Sequence, residues 1–405
     1  MKEWLSLPET NRREIIIAAA EKNRMSEQAV EKDLWVTFTL KAIFSTPWAQ
    51  NLVFKGGTSL SKAWGLIQRF SEDIDLALDR SVLGFPKEFV SNSQVSKLRK
   101  LASKFIAGEF KEGLEKALIA QGLPKDVFML SVQPTELSDR DPQVLELAYT
   151  SVITRGAYIK DKVIIEIGVR SEREPGSMRP IQSIIGATFP GQPYSDNPFE
   201  VFTIDAKRTF LEKAFLLHEG FLSKTLVPNK HDRKSRHIYD LVSIMETSHA
   251  EEALMDKELY SSIVEHRRHF TPERGIVYDL HEAGQINFIP PDEVIKQWEE
   301  DYRKMVESMI YGDYPDFKEL ILRLKQLLVR FRLSKAPHRL EILKAMAFEN
   351  PALPEPKNGI TFIASIDFTS DRYQPAGPGN ETILYSLSFE FYQGTWFTTN
   401  VEIRV

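Results

Sequence analysis

Two stretches of this chain combine residue types that can do chemistry together. Phe54-Lys55-Gly56-Gly57-Thr58-Ser59-Leu60-Ser61 is followed by Arg69-Phe70-Ser71-Glu72-Asp73-Ile74-Asp75-Leu76. Paired glycines let backbone amides approach phosphate oxygens, and a helix starting just after them adds a favourable dipole. Thr58, Ser59 and Ser71 carry small hydroxyls that can donate to the same oxygens. Asp73 and Asp75 alternate with Ile74 and Leu76, so on a strand both carboxylates point to one face. Two such carboxylates repel unless a cation sits between them. Hard oxygen ligands favour Mg²⁺ or Mn²⁺, and a metal there can bridge triphosphate oxygens and activate an acceptor hydroxyl. A further carboxylate from a neighbouring strand commonly completes such a site. Glu166, set among Val163, Ile164, Ile165 and Ile167, is the candidate, because an acid in that apolar run either faces solvent or has a specific use. A lone Asp-x-Asp or Gly-Gly-Thr is only a common strand face or turn. The ordered combination is what favours a metal-dependent nucleotide site.

The elements that must position these residues follow from periodicity. Residues 1–50 read as helical: Pro8 and Glu9 open one helix, and Ser26 with Glu27 opens another carrying Val30, Leu34, Phe38 and Ile43. Leu52-Val53-Phe54 reads as a buried strand ending in the Gly56-Gly57 turn, residues 60–70 as a helix, and 73–79 as a strand. Helical patterning runs from 95 to 118, and residues 126–170 hold three strand candidates. Residues 171–200, rich in Pro, Gly and Ser, read as loop, and 203–348 as mainly helical, with helices near 210–222, 238–246, 292–310 and 317–331. After a stiff Pro-rich linker at 351–356, strand-like alternation appears at 360–368, 382–392 and 396–403, with turn-rich 374–380 between. The expected fold class is α+β: a small mixed sheet flanked by helices, then a helical domain and a short β-rich tail. The expected division is 1–50 for N-terminal helices, 51–200 for the catalytic core, 201–350 for the helical domain and 351–405 for the tail. That tail is marginal for independent folding and is expected to pack on the body or on a partner.

Composition removes several alternatives. With no cysteine among 405 residues, disulfides, thiolate metal sites and a cysteine nucleophile are excluded. The net charge of −5 does not advertise nucleic-acid binding globally. The residues from Met1 to Leu5 lack a basic region followed by an apolar run, and no early apolar stretch is long enough to span a membrane. The expected location is cytoplasmic, with no membrane partner. Histidines lack metal-ligand spacing, so a zinc site is rejected, and no Gly-x-x-x-x-Gly-Lys-Ser/Thr run exists.

With those motifs in view, the chain resembles the AbiEii/AbiGii-type toxin nucleotidyltransferases, a branch of the polymerase-β-like superfamily. Gly-Gly-Thr-x-Leu with Arg-Phe-Ser-Glu-Asp-Ile-Asp-Leu is similar to the family's first motif, and Glu31-Lys32-Asp33-Leu34-Trp35-Val36 to its N-terminal helix signature. Lys207-Arg208-Thr209-Phe210-Leu211-Glu212-Lys213 resembles its helical lysine motif, Arg236-His237-Ile238-Tyr239-Asp240-Leu241 its Arg/Lys-x-x-x-Asp motif, and residues 298–302 its C-terminal helix. The likeness runs over about residues 10–330; the tail after Pro351 falls outside it. The resemblance implies that Gly56, Gly57 and Thr58 line a nucleoside triphosphate and that Asp73 and Asp75 hold metal. It implies that Lys213 neutralises triphosphate charge and that Asp240 completes the site as a base or an orienting group. It further implies a toxin of a toxin–antitoxin or abortive-infection (antiviral defence) system with a cognate antitoxin, and a tRNA 3′ end as acceptor.

Read without the family, Lys213 would snorkel or pair with Glu212, and Asp240 would pair with Arg236 four residues before it. Residues 207–236 carry eight Lys/Arg against three Asp/Glu, a stretch that attracts triphosphate or RNA backbone or is simply a solvated face. Two other functions compete with nucleotidyl transfer. One is kinase-like transfer of the terminal phosphoryl group in the same pocket, and the other a non-catalytic scaffold in a defence complex.

Overall fold

A computed structural model describes residues 1–85, 92–133, 141–153, 160–169, 175–222, 233–270, 276–334, 365–369, 384–392 and 395–404. The linker at 351–356, the turn at 374–380, and Lys224, Lys230 and His231 of the cationic stretch lie outside them. The chain forms two compact units. One comprises Met1–Thr209, Glu265–Pro272 and Val306–Tyr314, the other Phe210–Val264, Glu273–Met305 and Pro315–Val405. Residues 1–50 lie in the first of these units.

In chain order the first elements are α1 (Lys2–Leu5), α2 (Glu9–Asn23), α3 (Glu27–Ile43), β1 (Leu52–Lys55), α4 (Gly56–Lys62) and β2 (Asp73–Leu78). They are followed by α5 (Asn92–Phe105), α6 (Lys111–Ala120), β3 (Phe128–Val132), β4 (Gln143–Tyr149), β5 (Lys162–Gly168), β6 (Gly176–Ile181), α7 (Ile184–Thr188) and β7 (Phe199–Ile204). The strands make one mixed sheet in the order β3-β4-β5-β2-β1-β7-β6. β2 runs parallel to β5 and β1 to β7; the other neighbours are antiparallel.

Alternation decides which face of the sheet is covered. Ile74 and Leu76 of β2 and Ile165 and Ile167 of β5 are fully buried against α3, α5 and α6, in a core that also takes Trp35, Leu98 and Leu114. Burying each such side chain contributes about 1.5–3 kcal/mol. α3 is the middle layer. Its Trp35, Val36 and Leu40 join the sheet core, while its Val30 and Leu34 pack with Ile16, Ala19 and Ala20 of α2 and Ile185 of α7. Trp35 also stacks on Tyr149 of β4, ring centroids 4.6 Å apart.

A helix enclosed on all sides is expected to be apolar all round, yet α3 carries the consecutive buried charges Glu31, Lys32 and Asp33. Each is spoken for. Glu31 accepts from Ser151 Oγ (2.5 Å) and from the Val152 amide (2.8 Å), just beyond β4. Asp33 pairs with Lys62 at the end of α4 and accepts from the Ile184 amide at the start of α7 (2.7 Å).

Two sequence expectations are corrected. The helix expected over 60–70 starts earlier and stops at Lys62. Gly65, at φ +63°, adopts the left-handed conformation that ends a helix. Residues 68–70 then pair with a distant segment: the Phe70 amide donates to Met309 O (2.7 Å), and Arg69 bridges Ile310. The loop expected at 171–200 contains β6 and α7. Pro180 is tolerated because β6 is an edge strand, and Ser183 caps α7 by accepting from the Gly186 amide (2.9 Å).

The remaining helices are α8 (Ala206–Leu222), α9 (Ser235–Ile244), α10 (Ser248–Met255), α11 (Lys257–Phe270), α12 (Ile295–Met309) and α13 (Phe317–Leu333). They are followed by a second antiparallel sheet of β8 (Ser365–Thr369), β9 (Leu384–Tyr392) and β10 (Thr395–Arg404), in the order β10-β9-β8. β10 packs along α13, so the β-rich tail rests on a helix of its own unit. Among the described residues no helix is long and apolar enough to cross a membrane.

Burial pushes the Glu31 carboxyl above its ordinary value of 4.5, against the opposing pull of the Ser151 and Val152 hydrogen bonds. The folded chain therefore holds that proton more tightly than the unfolded one, and Glu31 subtracts stability as pH rises above its unfolded value. Glu31→Gln removes this loss while keeping an oxygen for the Val152 amide. The variant's thermal midpoint relative to the unchanged chain should climb as pH rises above about 4.5 and level off once Glu31 is ionised in the folded chain. A difference that stays constant across that range refutes the assignment.

Candidate active site

The sheet face opposite the core carries the acids. Asp73 and Asp75 are half-buried on β2, while Ile74 and Leu76 between and beyond them are buried on the other side. The parallel register sets Asp75 beside Glu166 and Asp73 beside Ile164. Registered neighbours share a face about 4.8 Å apart, and residues two apart on one strand lie about 6.6 Å apart. Asp73, Asp75 and Glu166 therefore crowd one small patch. Lys55, at the end of β1, is registered against Asp75 from the other side and brings a cation to the same face.

The glycine turn is built onto this patch. Gly56 has φ +79°, and a Cβ there would stand 1.9 Å from Asp75 Oδ2, so its backbone lies directly on the carboxylate. At Gly57 a Cβ would meet Arg69 Nη2 at 2.6 Å and Ser71 Oγ at 3.0 Å. The hydroxyls are used inside the protein. Thr58 and Ser59 are fully buried. Thr58 Oγ1 donates to the Asp73 carbonyl (2.5 Å) and lies 2.9 Å from Ser71 Oγ, and Ser59 Oγ donates to the Gly56 carbonyl (2.9 Å). Both side chains thus lock the turn to the start of β2. Half-buried Ser71 lies beside them.

In the other unit, Lys213 of α8 and Asp240 of α9 meet as a buried ion pair, Nζ to Oδ2 2.9 Å, with Asp240 fully enclosed. His237 Nδ1 stands 3.4 Å from the same ammonium. The sequence offered Glu212 and Arg236 as partners for these residues; the structure pairs Lys213 and Asp240 with each other, in addition to the further partners each has. Arg208 is also buried, so neither it nor Lys213 belongs to a solvated cationic face.

Sequence reasoning passed over three residues near the acids. Lys55 stands in the glycine stretch but its residue type suggested no role there. Arg69, only 1% exposed, fills the space behind Gly57. Glu72, also buried, precedes the first metal candidate. A charged residue with no room for water was the available signal for the last two, and burial is not readable from a loop sequence.

The donor set is oxygen only and acidic, which suits Mg²⁺ or Mn²⁺ over softer metals. Among the described residues no three His, Asp or Glu side chains form a ready-made cage. Mg²⁺ does not ask for one: it is commonly held by one or two carboxylates plus phosphate oxygens and water. Asp75 with its neighbours Asp73 and Glu166 fits that mode.

Gly56→Ala should be severe, because it combines an unfavourable φ costing about 1–2 kcal/mol with a methyl group driven into Asp75. A lowered thermal midpoint and displaced Asp75 are expected, the latter visible by crystallography; a variant as stable as the unchanged chain refutes the contact. Asp240→Asn removes the carboxylate charge beside a buried ammonium and should cost about 3–5 kcal/mol in denaturant unfolding. Adding Lys213→Met should recover most of it, and no recovery would mean the pair does not carry the loss.

Residues 39–323, more than half of the chain, match the family model described as Nucleotidyl transferase AbiEii toxin, Type IV TA system. A search of curated proteins returns no match.

Proposed function

Because the chain belongs to the AbiEii family of nucleotidyl transferase toxins, we propose that it is the toxin of a type IV toxin–antitoxin pair. In this reading it moves a nucleotide from a nucleoside triphosphate to the 3′ end of a tRNA. The observation that carries the reading is the acidic patch: Asp73 and Asp75 on the open face of β2, Glu166 in register beside Asp75, and Gly56 packed on the Asp75 carboxylate.

Asp73, Asp75 and Glu166 hold Mg²⁺ or Mn²⁺. When bound, the ion neutralises triphosphate charge and eases deprotonation of the acceptor hydroxyl. Gly56, Gly57 and Thr58 offer backbone rather than side chains to the phosphates. The terminal RNA hydroxyl attacks the α-phosphorus, its oxygen forms the new ester bond, and the bond to pyrophosphate breaks. Lys213 contributes positive charge toward the triphosphate, and Asp240 acts as its orienting group, the role favoured by their ion pair. Catalysis of this kind is mostly positioning and charge neutralisation. The antitoxin would be a protein that restrains this activity.

The test is transfer of label from each of four α-³²P-labelled nucleoside triphosphates to total tRNA in the presence of Mg²⁺. Label on RNA is expected, reduced at least about a hundredfold in Asp73→Ala with an unchanged thermal midpoint. Retained activity in that variant removes Asp73 from the site. Release of nucleoside diphosphate instead of pyrophosphate would establish phosphoryl transfer, and label on protein would move the acceptor class away from RNA.

A further inference from the structure

The reading of Asp73, Asp75 and Glu166 as metal ligands needs two strands from distant parts of the sequence held in one register. We propose that Lys32 is the positioning residue that does this, an inference that rests on that reading.

Lys32 is 1% exposed, and its ammonium has two acceptors. Nζ donates to Glu72 Oε2 at 2.7 Å and to the Lys160 carbonyl at 3.0 Å. Glu72 is the residue immediately before Asp73, where β2 begins. Lys160 lies two residues before Lys162, where β5 begins, and its carbonyl also accepts from the Lys162 amide at 2.8 Å. One buried cation thus ties together the entrances of the two parallel strands whose third and fifth residues are Asp75 and Glu166. The flanking charges of α3 reach elsewhere: Glu31 to the segment after β4, Asp33 to α4 and α7. An apolar side chain of similar length would fill the space without desolvating a charge. What it would not supply is a tether with two acceptors on two strands. Groups that orient metal ligands from behind typically change metal affinity or activity by about 10–100-fold when removed.

The experiment measures Mn²⁺ binding by the full chain, with a non-hydrolysable triphosphate analogue present, alongside amide hydrogen exchange. Lys32→Met alone leaves Glu72 buried without the Lys32 ammonium and can unfold the chain, so the informative variant is Lys32→Met with Glu72→Met, which removes both members of the ion pair. Its folding is checked by thermal melting. Mn²⁺ affinity about tenfold or more weaker is expected, with faster exchange at 73–75 and 162–164. Lys32→Arg, which can keep both acceptors, should regain most of the affinity. A folded double variant with unchanged affinity and exchange overturns the proposal, as does a folded Lys32→Arg chain with no recovery. If the unchanged chain binds no Mn²⁺, the metal reading fails. Exchange at the two strand entrances then decides the role of Lys32 alone: faster exchange supports it, and unchanged exchange overturns it.

Discussion

Three consecutive charges buried on one helix govern the sheet-bearing unit. Successive residues of an α-helix project about 100° apart, so Glu31, Lys32 and Asp33 fan out over more than half the circumference of α3. That is useful only to a helix surrounded on every side, and α3 is surrounded: sheet, α5 and α6 on one flank, α2 and α7 on the other. Each charge reaches a different part of the backbone, and between them they fasten the segment after β4, the starts of β2 and β5, the end of α4 and the start of α7. Breaking one such buried pair costs about 3–5 kcal/mol, a large share of the roughly 5–15 kcal/mol that stabilises a folded domain. Hydrophobic burial supplies most of the driving force and decides which face of each strand turns inward, but it does not fasten one particular side chain to one particular backbone group. The charges do.

Register matters because the open face of the sheet is an unfavourable arrangement by itself. Side by side on β2 and β5, three carboxylates repel, and nothing in strand pairing alone would select that alignment. The apolar side of the same strands selects it, since a slip by one residue would expose Ile74, Leu76, Ile165 and Ile167 and bury the acids. The acids are thus held together by what lies on the reverse of the sheet and by tethers at the strand entrances. Gly56 then closes on Asp75 where no other residue has room.

Much of this was readable from residues. The alternation in Asp73-Ile74-Asp75-Leu76 and in the run from Lys162 to Gly168 fixes both strands and the outward direction of Asp73, Asp75 and Glu166, because period-two burial is a local property. Ser26 reads as a cap, and it is one. What could not be read depends on partners far along the chain. Residues 67–70 have a helical pattern but pair with residues 309–311, so a non-local bridge overrides propensity. β6 and α7 hide in a Pro- and Ser-rich stretch because an edge strand tolerates Pro180 and a cap asks for Ser183. The hydroxyls of Thr58 and Ser59 looked available to a phosphate, yet the compactness of the Gly-Gly turn draws them inward to Asp73 and Gly56 carbonyls. Residue type shows that a hydroxyl can donate, not to whom.

The pair formed by Lys213 and Asp240 follows the same logic as Lys32 and Glu72. Each joins two sequence motifs that carry no sign of one another, and each is buried where two apolar residues would be at least as stable. A buried ion pair is therefore poorly explained by stability. It is better explained by direction: the carboxylate holds a lysine ammonium in one place. For Lys32 the place is the junction of two strands. For Lys213, with His237 at 3.4 Å as a further neighbour, the same constraint favours reading Asp240 as the residue that aims a cation rather than as a proton acceptor, since its charge is already engaged.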